Sequence, residues 1–287
     1  MPNSAPNQKA DGSQGRLVGN EGAEIEAQAF ELARRGMIKR MTTLLTPPLT
    51  EPARLDDALR GRGHAVLGAA SLRELVQVSA AQLDALRPSW ADLPADEHLR
   101  DGGRYRRRRH ACFIVEADAV TQVPHRAHWQ PLKYNALHGG LERWFAPMRA
   151  EVVAQPVWAR LLAVLSAHCS ALRGVQPWYV EAHQFRIDTT DGIGRPTPEG
   201  AHRDGVDFVA VLLINREGIK GGETRVFEAD GPAGLRFTMT EPWTTLLLDD
   251  ARVIHESTPI LPLTPGGHRD TLVLTFRARG FQGPGAG

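Results

Sequence analysis

Cysteine is scarce. Cys112 and Cys169 are the only two, far apart and outside any CxxC. That excludes a disulfide framework and a zinc ribbon, and predicts reduced thiols in a cytoplasmic protein. Net charge is scarce too: 34 Lys and Arg against 33 Asp and Glu leave +1. No global field therefore draws the chain to nucleic acid or a membrane surface. No apolar run approaches the roughly 18 residues of a membrane span. The opening MPNSAPNQKADGSQGRLVGNEG has no apolar core of a secretory signal.

What is present suits a folded enzyme. The 287 residues are 42% hydrophobic and 23% charged, enough for one large domain or two small ones. Residues 1–22 offer almost nothing to bury and read as disordered. Residues 23–41 turn helical, acidic early and basic late, and LTPPLTEP reads as a linker ending at Pro52. The expected division is an extension over 1–52, a folded domain over 53–280 and a flexible tail over 281–287.

Within that domain, ARLDDALRGRG reads as a helix ending at glycine, and HAVL as a strand. SLRELVQVS and SAAQLDALRPSW read as helices, each opened by a serine cap. Residues 156–172 carry an apolar stripe of Val157, Leu161, Leu162, Leu165 and Leu172, the mark of a helix backing a sheet. Arg104 to Val115, RYRRRRHACFIV, is dense in arginine. Its alternation and its apolar continuation predict a strand with one arginine face near an acidic or anionic site. No aromatic platform or second basic block follows to support nucleic-acid binding. His125 and His128, three apart, have the spacing of a metal pair on a helix, but Pro124 and Pro131 break helix here, so a loop lining a pocket is expected instead.

From Trp178 the pattern changes to short strands punctuated by Gly, Pro, Asn and Asp: WYVEAHQFRI, DFVAVLLIN, ETRVFEA, GLRFTMT, WTTLLLD, RVIHEST and RDTLVLTFRAR. That spacing predicts an antiparallel sandwich or barrel, such as a jelly roll of two sheets. The fold class is thus mainly β with helical additions, backed by N-terminal and mid-chain helices.

This half also carries the chemistry. His202-Arg203-Asp204 has HxD spacing; on a strand, residues i and i+2 share a face, so both could reach one metal. His255 would join from a neighbouring strand. Two imidazoles and a carboxylate are the ligand set of a non-haem Fe(II) centre with open positions. Arg269 opens the last strand, with Thr271 two residues on. A guanidinium fork and a hydroxyl are what the far carboxylate of 2-oxoglutarate needs.

These residues, with RYRRRRH, QPLKYNALHGGLERWF, EAHQFRI, PTPEGAHRDGVDFV, GGET, LLLDDARVIHESTPI and RDTLVLTF, resemble the Fe(II)/2-oxoglutarate-dependent dioxygenases. More narrowly they resemble the bacterial branch of free L-amino acid hydroxylases that includes isoleucine dioxygenase. The blocks run from about Arg104 to Phe276; the first fifty or so residues match nothing in the family. The resemblance implies a double-stranded β-helix, iron on His202, Asp204 and His255, and 2-oxoglutarate on Arg269. It implies O2 as oxidant, succinate and CO2 as products, and ascorbate as an aid to activity. The expected reaction is hydroxylation of a C–H, or oxidation of a thioether, in a free L-amino acid or close derivative. Arg106, Arg108, Tyr134 and Asn135 are candidates for its carboxylate and Glu199 for its ammonium. The expected partner is a small molecule, not nucleic acid or membrane, with a homodimer left open. Three other readings compete: a cupin-like metal or small-molecule sensor, an oxygenase acting on protein or nucleic acid, and a zinc hydrolase. The sensor has no use for the Arg269–Thr271 anchor, and the hydrolase lacks a clear general base.

Overall fold

Alternation along the strands decides which faces meet. The computed structural model describes residues 41–43, 46–135, 137 and 139–284. Among these the elements run β1 (Met41–Thr43), α1 (Leu55–Arg62), β2 (His64–Leu67), α2 (Ala69–Val76), α3 (Ala80–Asp84), β3 (Arg106–Glu116), β4 (Ala119–Gln122), α4 (Ala150–Val153) and α5 (Pro156–Arg173). They continue as β5 (Trp178–Asp188), β6 (Phe208–Glu217), β7 (Ile219–Gly221), β8 (Thr224–Glu228), β9 (Gly234–Phe237), β10 (Thr245–Asp249), β11 (Val253–Ser257), β12 (Ile260–Pro262) and β13 (His268–Arg277).

A seven-stranded sheet has the order β2-β10-β6-β13-β5-β3-β4; a four-stranded sheet has the order β1-β9-β8-β11; β7 and β12 pair as a ribbon. All pairings in the large sheet are antiparallel. This is a double-stranded β-helix, as the resemblance implies, and its two antiparallel-rich sheets with helices on one side match the sandwich or barrel that the strand spacing predicts.

Each face of the large sheet has its own core. The outer face packs Phe113, Val180, Ala182 and Leu274 against Trp158, Leu161, Leu162 and Leu165 of α5. That helix starts with Pro156, which needs no N–H there, and stops at Gly174. Cys169 is buried in the same layer. Between the sheets, Val209, Leu213, Leu246 and Leu248 meet Val226, Phe237 and Val253. This apolar plug fills one end of the interior and leaves the β3–β5–β13 end for polar side chains.

Two local expectations change. Ser79 caps α3 through a capping box with Gln82, but α2 begins after Gly68 with no side-chain cap, and Ser71 is already its third residue. The expected linker is not detached from the sheet, for Thr50 N–H donates to the Val66 carbonyl at 2.7 Å. The expected disorder over 1–22 and helix over 23–41 fall outside the described residues, except for Met41 in β1. Among the described residues no helix is long and apolar enough to cross a membrane.

Candidate active site

The inner face of β3, β5 and β13 is a grid set by register. Arg106 sits opposite Ile187, and Ile187 opposite Arg269. Two residues along, the row is Arg108, Phe185, Thr271; the next is His110, His183, Val273; the last is Cys112, Glu181, Thr275. Alternation puts all of these on one face. Polar groups therefore form two columns, on β3 and β13, separated by the apolar Ile187 and Phe185.

The opposite wall carries His202, Asp204 and His255. His202 is not inside a regular strand: it forms an isolated antiparallel bridge with His255 on β11. Each residue's N–H donates to the other's carbonyl at 3.0 Å. This pairing brings the two rings to 4.7 Å between centroids. The expected strand over the HxD is thus a single bridged residue leading into β6. His202 Nδ1–H donates to the Gly200 carbonyl at 2.9 Å, which leaves Nε2 with its lone pair toward the cavity. Asp204 Oδ1 is 3.9 Å from His202 Nε2, and its Oδ2 is 3.7 Å from His255 Nε2. One ligand atom from each lies within 4.8 Å of the others, so two imidazoles and a carboxylate converge as a divalent metal requires. Burial, opposed by His202 and assisted by Glu199, raises the Asp204 pKa; a bound cation would reverse that.

Asp250 holds the loop. Its carboxylate accepts the backbone N–H groups of Asp204, Gly205 and Val206 at 3.0, 2.8 and 3.1 Å. Its neighbour Asp249 points elsewhere and pairs with Arg173 at 2.6 Å. Gly205 has φ +74°, and a Cβ there would meet the Tyr134 ring at 2.2 Å. Tyr134 therefore packs on this loop and is not among the cavity-lining side chains, unlike Arg106, Arg108, Asn135 and Glu199.

Arg269 and Thr271 line the same cavity as the triad. The guanidinium is buried, and its Nε and Nη2 have no hydrogen-bond partner. Burial, with Arg216 adding and Asp270 opposing, lowers its pKa to about 10. Two orphaned N–H groups on a buried cation fit a bidentate carboxylate.

Several residues here had no local signal in the sequence. Gln130 donates from Nε2 to Asp204 Oδ1 at 3.3 Å, while its Oε1 accepts from Arg143 Nη2 at 2.9 Å. Asp96 accepts from Arg106 Nε at 2.7 Å and lies 3.7 Å from Arg108 Nη1. Glu181 Oε2 accepts from His110 Nε2 at 3.1 Å and from His128 Nδ1 at 2.6 Å. His125 instead bonds the Phe145 carbonyl. His110, His128, Glu181 and His183 also offer converging ligand atoms. Arg108 Nη2, however, sits 2.7 Å from His183 Nδ1. A cation among these groups would lie beside a fixed positive charge, so they work as a hydrogen-bonded network.

The chain is similar to several solved structures. With a bsmA homolog from Methylobium petroleophilum PM1 it shares 54% identity over 83% of this chain and 98% of that one, at a TM-score of 0.79. IDO from Bacillus thuringiensis matches at 16% identity over 79% and 99% of the two chains, with a TM-score of 0.64. The Fe(II)/(alpha)ketoglutarate-dependent dioxygenase TqaL matches at 18% over 86% and 90%, with a TM-score of 0.61. The last two show the shared fold. No curated protein matches the sequence. The 2OG-Fe dioxygenase family model matches residues 87–275. That span contains β3, the bridged histidines and Arg269 together, and it makes this chain a member of the 2OG-Fe dioxygenase family, a 2-oxoglutarate-dependent iron oxygenase.

Proposed function

We propose that this oxygenase hydroxylates a C–H, or oxidises a thioether, of a free L-amino acid or close derivative. His202 Nε2, Asp204 and His255 Nε2 hold the Fe(II); Arg269, with Thr271 beside it, holds the distal carboxylate of 2-oxoglutarate. Bound there, iron and 2-oxoglutarate supply an oxidant from O2, with succinate and CO2 as products. The protein's own part is positional. Asp250 fixes the HxD backbone, Gln130 orients the Asp204 carboxylate, and the buried walls exclude water from the reacting carbon.

The observation that carries the amino acid reading is a cavity offering both signs of charge to one ligand. Arg106, Arg108 and Arg143 line it beside Glu199. Arg106 Nη2, Arg108 Nε, Arg143 Nε and Glu199 Oε2 are all buried without a hydrogen-bond partner. Guanidinium donors for a carboxylate and a carboxylate acceptor for an ammonium match a zwitterion. The β3 arginines also turn away from a nucleic-acid role: Arg106 and Arg108 point inward onto Asp96, and exposed Arg104 pairs with Asp191 at 3.0 Å.

The test is succinate release from 2-oxoglutarate with Fe(II), ascorbate and air, across the twenty free L-amino acids. Stimulation by one or a few, absent in Asp204→Ala, is expected. An Asp204-dependent background that no amino acid stimulates would move the substrate to another chemical class.

A further inference from the structure

Three of the cavity's four lining arginines that face the ligand space gather on the β3 side, away from Arg269. Arg106 and Arg269 lie on strands separated by β5, about 10 Å apart at sheet spacing. The β3 column is therefore not a second hand on the carboxylate held by Arg269. It is a separate anion site made of Arg106, Arg108 and Arg143.

These three guanidinium groups have one carboxylate partner among the described residues. Asp96 is fully buried and serves both Arg106 and Arg108. Arg143 is buried and donates to the neutral amide of Gln130. Of the other nearby carboxylates, Glu181 accepts from His110 and His128, while Glu199 has Oε1 3.6 Å from His202 Nε2 and keeps Oε2 unpartnered for an ammonium. Arg108 cannot swing away, because its guanidinium is 3.6 Å from the centroid of Phe145 and 4.4 Å from that of Phe185. Guanidinium groups stay charged inside proteins, and a buried charge without a partner is costly.

We infer that the substrate carries two acid equivalents: an α-carboxylate and an acidic side chain, either a second carboxylate or a phosphoryl group, shared among Arg106, Arg108 and Arg143. One carboxylate would leave a buried guanidinium unmatched; two match the pair that Asp96 does not. This deepens the amino acid reading and rests on it for the α-amino group alone. Glu199 takes the ammonium, and the arginine column selects acidic over amide or aliphatic side chains. Arg143 is the specificity-determining member, because no carboxylate pairs with it.

The test is calorimetric titration under argon of the protein loaded with Fe(II) and 2-oxoglutarate. The titrants are L-glutamate, L-aspartate and O-phospho-L-serine, set against L-glutamine, L-asparagine and L-leucine, with glutarate as the diacid lacking an amino group. At least one acidic amino acid should bind ten times or more tighter than its amide or than leucine; the phosphoserine arm tells a phosphoryl group from a carboxylate. Arg143→Gln should cut that preference at least fivefold, and Arg143→Lys should retain part of it. The wild-type comparison decides even if the variants fail to fold. An amide or leucine binding as tightly as every acidic titrant overturns the inference and leaves the amino acid reading intact. Glutarate binding as tightly as glutamate overturns the amino acid reading and leaves the two-acid inference standing. Heat from none of the titrants overturns both.

Discussion

Arg269 is a buried cation whose Nε and Nη2 have no partner in the protein. Charge-assisted hydrogen bonds of this kind are worth about 1.5–3 kcal/mol each. Arg269→Ala should therefore raise the KM for 2-oxoglutarate at least tenfold while leaving Fe(II) stoichiometry unchanged, since the ligand atoms lie on the opposite wall. Equilibrium dialysis of iron beside a 2-oxoglutarate titration checks both; an unchanged KM would assign the distal carboxylate elsewhere. Asp250→Ala should do the reverse. It strips three backbone N–H groups of their acceptor and loosens Asp204, so iron affinity should fall by about 10- to 100-fold. Arg269 stood out because Arg-x-Thr is a local pattern, and His202 and Asp204 because HxD is one. Gln130 was not, because its bond to Asp204 spans 74 residues. The Glu181–His128 contact spans 53. Nothing in the local sequence of either partner announces the other.

At the level of elements, alternation explains what could be read. The Arg run of β3 was legible as a strand with one functional face, and Arg106 and Arg108 do turn inward while Arg107 reaches Asp188 at 3.4 Å. The HxD was expected on a strand, yet the large sheet starts β6 only at Phe208. Gly205 and the three amides drawn to Asp250 bend the chain before the ladder begins. The apolar stripe of α5 was equally clear, and its consequence can be measured. Leu161 is fully buried among the residues packed on the sheet's outer face. Leu161→Ala should cost about 2–5 kcal/mol, the usual range for a buried leucine deletion. Because that face is opposite the cavity, iron binding below the melting transition should persist. Loss of iron from a still-folded variant would show that the helix layer also shapes the site.

For the molecule as a whole, a histidine remote from the cavity ties stability to pH. His64 begins β2 at the edge of the large sheet, paired with Leu248. It is buried; Nδ1 lies 3.2 Å from the Arg62 carbonyl, and Nε2 has no partner. Burial first, and the charge of Arg62 second, lower its pKa from 6.5 to about 4, against a small upward pull from that carbonyl. The unfolded chain takes up the proton near 6.5, and the folded chain only near 4. Between those values the unfolded state binds more protons, so stability falls as the pH falls. The contribution is complete above pH 6.5 and is lost progressively down to about 4, on the order of 2 kcal/mol by pH 5. Urea unfolding at pH 7 and pH 5 should show the wild type losing about that much more than His64→Leu, whatever the variant's starting stability. Every other titrating group is common to both chains, so the difference in slope isolates the one ring. Equal losses in the two proteins would mean that the edge of the sheet opens enough for His64 to titrate as it does in water.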